Sequence, residues 1–394
     1  MLGLKIKVIL GKIELKAKPL LIFDRSIIKF LNELHIKIKS NKDTSKYSDL
    51  ATFGFWCREA NINKISKLYP NSMLMVGRGK VFHVTPSNVP MNFAYSFAFG
   101  LLSGNTNLVR LPSKNFKQIK ILCDIIDKIS KQNKFAFILN HFCLFQYDRS
   151  DKISQQMSIN ADARLIWGGD DTINQFRNYK TQPRCIDLNF ANRHSVSIIK
   201  TNSLLKLKKQ EWKNLIQKFY NDSYLMDQQG CSSPQSIIWI GKNNKKIISL
   251  FWELLLEYIK NNYENDIAIT NQKISLLAQS AVNSSTSFKT KFDDIRIIRL
   301  KIKNLSSDIQ NIKAHYGTFG EINVTSLEKI KNIFTKKSQT VTYFGLDKIE
   351  LRNFIVKKGI LGIDRIVIVG RAHDMGPIWD GHDIIYSLSR IISN

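Results

Sequence analysis

From Met75 onward, short apolar runs alternate along the chain with longer stretches of helical period. Residues 81–84 form one apolar run that predicts a strand, and residues 107–111 form the next. Residues 92–102 are apolar enough for a buried helix, and residues 115–130 carry apolar side chains at helical spacing. Further strands are predicted at residues 135–145 and 163–167. This alternation predicts a parallel sheet with crossover helices. Strands predicted at residues 295–302, 320–324 and 340–344 give a second α/β unit.

Three loops of the first unit are candidates for cofactor binding. Ligands of such sheets bind beyond the carboxyl ends of the strands, so we expect a cofactor at the loops after Val84, Arg110 and Trp167. Their candidate residues are Thr85, Pro86 and Ser87 in the first loop, Ser113 in the second, and Gly168, Gly169 and Thr172 in the third, where a helix is predicted from residue 172 to 179. No loop has the GxGxxG fingerprint, and each loop taken alone also fits ordinary turn chemistry.

Cys231 is the candidate nucleophile. It follows a glycine in the segment DQQGCSSPQ (residues 227–235), and an apolar run comes directly after it. A cysteine in this setting lies where backbone N–H groups can point at its sulfur and at an oxyanion formed beside it. The alternative interpretation is a small buried apolar side chain. His83 and His194 lie near the candidate segments, and we expect both to be structural or merely polar.

Composition and charge narrow the classes of function. The chain has 394 residues, of which 43% are hydrophobic, and a formal net charge of +27. Such a charge raises the question of nucleic-acid or anionic-membrane binding. The lysines are spread along the whole length and no nucleic-acid motif is present, so we interpret the charge as a solvated basic surface and expect no nucleic-acid partner.

The cysteines and the apolar runs bear on compartment and metal content. Five cysteines at irregular spacings, without a CxxC pair, predict neither a disulfide framework nor a metal site, and favour a reducing cytoplasm. Residues 1–10 are apolar but interrupted by lysines, unlike a signal peptide. No run is long enough for a transmembrane segment.

Four segments, taken together, resemble the aldehyde dehydrogenase superfamily and, within it, the LuxC-type acyl-CoA reductases. They are GRGKVFHVTPSNVPMNFAYS (residues 77–96), GNTNLVRLPSK (residues 104–114), the Cys231 segment and IWDG (residues 378–381). The resemblance runs from about residue 77 to the C-terminus. It implies an α/β fold with a Rossmann-like parallel-sheet cofactor domain and a second α/β catalytic domain.

The resemblance also assigns roles to individual residues. Asn88 matches the asparagine whose side-chain amide binds the oxyanion. Arg110 and Ser113 take the place of a lysine-proline-serine segment that touches the adenosine ribose, and an arginine there suits the 2′-phosphate of NADPH. Gly169 to Thr172 matches the helix start that carries the pyrophosphate. Asp187 and Leu188 stand where hydrolytic members have a glutamate-leucine pair whose glutamate activates water.

On this basis we divide the chain into four segments. We expect an N-terminal lead-in over residues 1–70, an NADP-binding domain over residues 71–205 and a catalytic domain carrying Cys231 over residues 206–358. Residues 359–394 are expected to return to the cofactor domain or to form an oligomer contact.

The expected function is NADPH-dependent reduction of an activated fatty acyl group, from acyl-CoA or an acyl-protein thioester, to the aldehyde through an S-acyl-cysteine at Cys231. The resemblance further suggests an acyl-protein synthetase partner and a homo-oligomer. Three alternatives stay open. They are NAD(P)-dependent aldehyde oxidation to the acid with Asp187 as base, a non-catalytic scaffold for the synthetase, and a nucleic-acid binder.

Overall fold

The computed structural model describes residues 6–70, 72–242, 244–264, 267–283, 288–302, 305–312 and 315–393. The prediction that residues 1–10 are unlike a signal peptide therefore falls partly on residues outside the described ranges. The chain forms two compact units, one of residues 1–191 with 375–394 and one of residues 192–374.

Unit 1 is built on a six-stranded sheet in the order β1-β5-β4-β3-β6-β7, parallel except for β1. Its strands are β1 (Lys7–Gly11), β2 (Leu74–Gly77), β3 (Lys80–Val84), β4 (Thr106–Arg110), β5 (Phe142–Gln146), β6 (Ala163–Trp167) and β7 (Ile186–Phe190), followed near the C-terminus by β15 (Ile378–Trp379), β16 (His382–Asp383) and β17 (Ser389–Ile392). Its helices are α1 (Arg25–Ser40), α2 (Ser48–Trp56), α3 (Glu59–Ser66), α4 (Asn92–Leu102), α5 (Lys117–Ser130), α6 (Asp151–Ile159), α7 (Asp170–Arg177) and α13 (Ile384–Leu388). β15 pairs with β16 and β17 pairs with β2, both antiparallel.

The central strands of unit 1 are buried on both faces, which explains their nearly continuous apolar character. In β3, Phe82 and Val84 join a core cluster with Ile153 of α6 and Phe176 of α7. The intervening His83 faces the other way and bonds to Ser96 of α4. Helix α4 is buried almost all round, as its apolar composition predicts.

Unit 2 is built on a seven-stranded sheet in the order β10-β11-β12-β9-β8-β13-β14, parallel except for β10. Its strands are β8 (His194–Lys200), β9 (Pro234–Ile240), β10 (Phe288–Asp294), β11 (Ile297–Ile302), β12 (Thr318–Val324), β13 (Ser338–Phe344) and β14 (Arg365–Ile368). Its helices are α8 (Thr201–Leu204), α9 (Lys209–Ser223), α10 (Lys245–Asn262), α11 (Ile267–Asn283) and α12 (Lys348–Lys357). Two apolar clusters include side chains of this sheet.

The unit boundaries differ from the segments expected from the sequence. β8 pairs with β9 and β13, so residues 192–205 belong with unit 2 rather than with the cofactor domain. β14 likewise pairs with β13, and only residues 375–394 return to unit 1. Residues 1–70 are part of unit 1, where α1 contributes Phe30, Leu31 and other fully buried side chains.

Two element predictions were also inaccurate. The segment predicted as a strand at residues 135–145 begins with a 3-10 helix over Asn133–Asn140, and strand β5 starts only at Phe142. The helix after β6 begins at Asp170, not at Thr172. Among the described residues, no helix is long and apolar enough to span a membrane.

Candidate functional site

Cys231 lies in the turn that joins α9 to β9, at the amino edge of the unit 2 sheet. Its side chain is partly buried, and its sulfur accepts a hydrogen bond from the Gln339 amide, with 3.1 Å between Nε2 and Sγ. The Cys231 carbonyl accepts from the Ser195 hydroxyl at 2.7 Å. Ser195 and Gln339 each stand at the start of a parallel strand, β8 and β13, so the amino ends of neighbouring strands converge on the cysteine.

The turn before Cys231 is held in a strained conformation by a buried glutamine. Asp227 and Gln228 have φ values of 51° and 55°, a left-handed region that non-glycine residues rarely adopt. The Gln228 amide nitrogen donates to the carbonyls of Pro234 and Thr318, each at 3.0 Å. Its amide oxygen accepts from the backbone N–H groups of Gly317 and Thr318 at 2.7 and 3.1 Å. These bonds fix the turn to the first residues of β9 and β12.

The partly buried imidazole of His373 supports the other side of the turn. His373 Nε2 lies 3.1 Å from the carbonyl oxygen of Asp222, which can only accept, so Nε2 carries the proton. Nδ1 then accepts from the Ser232 hydroxyl at 3.3 Å. Gly230 permits this approach, since a Cβ there would lie 3.1 Å from His373 Cε1. Burial lowers the pKa of His373 to about 4, so the ring is neutral at pH 7.

Arg365 brings a positive charge to the same edge of the sheet. Its guanidinium donates to the carbonyls of Arg371 at 2.9 Å and Asp374 at 2.6 Å, and also to that of Ala372. Burial lowers the pKa of Arg365, while the charges of Asp374, Asp222 and Cys231 act in the opposite direction. The guanidinium is therefore close enough to interact electrostatically with Cys231, and a neighbouring cation favours a thiolate over a thiol.

In unit 1, the predicted cofactor residues lie at the carboxyl ends of β3, β4 and β6. The Thr85 hydroxyl donates to the Arg110 carbonyl at 2.7 Å and so joins the first two loops. The Arg110 guanidinium lies 4.3 Å from the centre of the Tyr147 ring. Ser87, Asn88 and Ser113 are exposed, and Pro86 is partly buried.

The third loop leads directly into α7. A Cβ on Gly168 would meet the Thr172 side chain at 3.0 Å, so only glycine fits without adjustment of this contact. Gly169 is the N-cap residue, and the first turn of α7 carries Asp170 and Asp171. A helix N-terminus attracts an anion, whereas two carboxylates in its first turn oppose one.

Asp187 is engaged in an ion pair with the buried Arg164, while its own side chain is 25% exposed. Arg164 Nε donates to its Oδ1 at 2.7 Å and Nη2 donates to its Oδ2 at 2.5 Å. Arg164 is 3% exposed and also donates to the carbonyl of Phe176. The neighbouring Leu188 is buried at 4% exposure, and strand alternation turns it to the opposite face of β7. Both oxygens of the candidate base are thus bound by one guanidinium.

The two histidines singled out in the sequence are buried in different environments. His83 Nδ1 lies 2.8 Å from Ser96 Oγ and Nε2 lies 2.9 Å from Asn107 Oδ1, which satisfies both ring nitrogens. His194 stands at the start of β8 and is 7% exposed. Burial lowers the pKa of each to about 4. Their expected structural role agrees with these surroundings.

Glu321 ends the run TFGE (residues 318–321), which by composition only could correspond to the motif that, in the aldehyde dehydrogenase superfamily it resembles, binds the nicotinamide ribose. The structure places its carboxylate in the core, where Oε1 accepts from the indoles of Trp239 and Trp252 at 3.1 Å each. With 2% exposure, this carboxylate is part of the packing of unit 2. Within the described residues, no group of three or more acidic, histidine or cysteine side chains forms a metal site.

Sequence reasoning missed four residues around Cys231, namely Ser195, Gln339, Arg365 and His373. None belongs to a local motif. Ser195, Gln339 and Arg365 are brought to this edge by the order of strands in the sheet, and His373 follows β14 and contacts Ser232 beside the cysteine. The missing information was the order of strands in the sheet. The amino ends of β9, β8, β13 and β14 lie side by side only because these strands are neighbours in that order.

Comparison with known proteins places this geometry in context. A family model described as acyl-CoA reductase (LuxC) matches residues 61–393. A long-chain acyl-protein thioester reductase from Aliivibrio fischeri is 22% identical over 324 residues, which cover 75% of this chain and 61% of that protein. The chain thus spans less than two thirds of the length of this relative.

Solved aldehyde dehydrogenases share the fold. Lactaldehyde dehydrogenase from Escherichia coli aligns with a TM-score of 0.62 at 14% identity, over 93% of this chain and 86% of that one. An indole-3-acetaldehyde dehydrogenase in complex with NAD+ aligns with a TM-score of 0.63 at 11% identity, over 94% and 82%. The expected aldehyde dehydrogenase-like α/β fold is confirmed.

Proposed function

Because the chain belongs to the acyl-CoA reductase (LuxC) family, we propose that it reduces a fatty acyl thioester to the aldehyde with NADPH, using Cys231 as the nucleophile. The observation that carries this proposal is the arrangement around Cys231, which supplies a hydrogen-bond donor and a nearby cation to its sulfur. Such surroundings are typical of reactive cysteines rather than of buried apolar ones.

In the first step, the Cys231 thiolate attacks the carbonyl carbon of the acyl thioester. A bond forms between Sγ and that carbon, and the carrier leaves as its own thiolate. The Cys231 backbone N–H is the proposed donor to the oxyanion of the tetrahedral intermediate. The role of the Asn88 amide stays a prediction from the family resemblance. The strained turn held by Gln228 fixes the direction of the sulfur before the substrate arrives.

The second step needs a hydride donor, and NADPH would supply that chemistry when bound. The unit 1 loops offer groups that fit a dinucleotide. Arg110 would bind the 2′-phosphate, Ser113 the ribose, and the N-terminus of α7 at Gly169 the pyrophosphate, with Thr85, Pro86, Ser87, Gly168 and Thr172 at the same edge. Leu188 is buried in the middle of β7 and is left out of this proposal. Collapse of the resulting thiohemiacetal releases the aldehyde and returns the thiolate of Cys231.

The pairing of Asp187 favours reduction over aldehyde oxidation to the acid. A general base needs a carboxylate oxygen that can take a proton from water, and both oxygens of Asp187 are already bound by the Arg164 guanidinium. Without a base to activate water, an acyl-enzyme persists long enough to be reduced.

The proposal for the acyl carrier is supported by the relative rather than by the site. The Aliivibrio fischeri protein is described as an acyl-protein thioester reductase, so we propose an acyl-protein or acyl-CoA substrate and an acyl-protein synthetase partner. A homo-oligomer and a cytoplasmic location complete the proposal and stay predictions.

Acylation of the protein in the absence of nucleotide tests the proposal. Protein incubated with tetradecanoyl-CoA and no nucleotide should gain one tetradecanoyl group at Cys231 by intact-mass and peptide mass spectrometry, and NADPH should then release tetradecanal. Cys231→Ala should do neither, with Cys185→Ala as the matched control because Cys185 is also partly buried but lies in unit 1. Incubation with aldehyde and NADP tests the rival direction, and faster acid formation than aldehyde formation would overturn the proposal.

A further inference from the structure

The hydrogen bond from Gln339 to the Cys231 sulfur is an unusual use of a buried amide. Gln339 is 1% exposed and begins β13 beside Ser338. A buried amide that donates to a neutral sulfur gains little, because thiols and thioethers are weak acceptors. A thiolate is a much stronger acceptor, and hydrogen bonds to charged groups are worth roughly twice those between neutral groups.

The surroundings of Gln339 fix which end of its amide faces the sulfur. Its Oε1 lies 3.2 Å from the Thr340 hydroxyl, which donates to it. Oε1 also lies 3.5 Å from the Ser195 hydroxyl, whose own oxygen accepts from the Thr340 backbone N–H at 3.1 Å. The single Ser195 proton goes to the Cys231 carbonyl at 2.7 Å, so the Thr340 hydroxyl is the donor that holds the oxygen end of the amide, and the NH₂ end is directed at Sγ.

We propose that Gln339 stabilises the thiolate form of Cys231 through this hydrogen bond and so takes part in the reaction both before and after acyl transfer. The inference rests on the proposed function, in which Cys231 is the nucleophile. The bond is strong while the sulfur is anionic and weak once it is esterified, because a thioester sulfur carries no negative charge. Gln339 therefore favours the attacking thiolate and, at the end of the cycle, the departing thiolate of the thiohemiacetal.

The experiment measures thiolate formation without requiring any enzymatic activity. The rate of Cys231 alkylation by iodoacetamide is followed from pH 5 to pH 10 by mass spectrometry of the peptide that contains Cys231. Gln339→Met keeps the length of the side chain and removes the donor, and we expect it to raise the midpoint of the alkylation profile by about one to two pH units. Gln339→Glu places a carboxylate beside the sulfur and should raise the midpoint at least as far.

Gln310→Met is the matched control. Gln310 is another glutamine of unit 2, partly buried where Gln339 is fully buried, and its amide donates to the Ile333 carbonyl at 2.8 Å and to Ser338 Oγ at 3.1 Å rather than to the sulfur. Its midpoint should stay within about 0.3 pH units of the wild type. Thermal unfolding by circular dichroism checks that each variant is folded, and the glutamate variant tests the inference if the methionine variant is unfolded.

The results separate the inference from the proposed function. Superimposable alkylation profiles for wild type, Gln339→Met and Gln339→Glu would overturn the inference, even if tetradecanoyl-CoA acylates Cys231. A shifted midpoint in a protein that tetradecanoyl-CoA does not acylate would overturn the proposed function and leave the bond between the amide and the thiolate established.

Discussion

Replacement of Gln228 should be among the most destabilising single changes in unit 2. In Gln228→Ala the side chain loses four hydrogen bonds, two donated and two accepted, in a site with no measurable exposure. At about 1 kcal/mol net for each bond, the expected loss of unfolding free energy is about 4 kcal/mol. The same change should release the turn that directs Cys231 and lower the rate of its acylation.

Gln228→Gly separates the hydrogen bonds from the strain. Glycine loses the same four bonds but adopts a φ of 55° without steric cost, whereas alanine does not. We therefore expect the glycine variant to be about 1 kcal/mol more stable than the alanine variant, the reverse of the usual order in regular secondary structure. Urea denaturation followed by tryptophan fluorescence and by circular dichroism gives both differences. A loss below about 1 kcal/mol for alanine, or an alanine variant more stable than the glycine variant, would refute this account of the turn.

Three further predictions concern pH, the ion pair and the cofactor. His83, His194 and His373 have folded pKa values of about 4 against an ordinary 6.5, so the unfolded chain binds more protons and stability should fall as the pH drops from 6.5 to 4. Burial raises the pKa of Asp222 to about 7, which stabilises the fold as the pH drops and so opposes the histidines. The histidine contribution is therefore measured by comparing the free energy of unfolding against pH for wild type and His83→Gln, and the variant should show the flatter dependence. Asp187→Asn should lower the free energy of unfolding by about 3 kcal/mol because it leaves the buried Arg164 charge unpaired. The variant should still form aldehyde from acyl-CoA. A selective loss of that activity, with the fold intact by circular dichroism, would restore Asp187 as a catalytic group. Arg110→Leu should raise the KM for NADPH about tenfold or more and change that for NADH little, and equal changes for both nucleotides would remove Arg110 from the 2′-phosphate site.

The sequence predicted unit 1 better than unit 2 for a physical reason. In unit 1 the candidate residues follow their strands directly, as Thr85 follows β3, so local patterns suffice to place them at one sheet edge. In unit 2 the cysteine precedes its strand, and its partners Ser195 and Gln339 are 36 and 108 positions away. Periodicity indicates that these residues start strands, but it does not indicate which strands are neighbours.

The location of Cys231 at the amino edge of the unit 2 sheet also explains why side chains must stabilise its anion. In a parallel sheet the crossover helices run opposite to the strands, so helix C-termini, which carry partial negative charge, lie at this edge. α9 ends there at Ser223, and the carbonyl of Asp222 in its last turn is bound by His373, the same imidazole that bonds to Ser232 beside the cysteine. The helix end therefore opposes a thiolate at residue 231. An amide from Gln339 and a cation from Arg365 act against that opposition, and both come from strands whose starts reach the same edge.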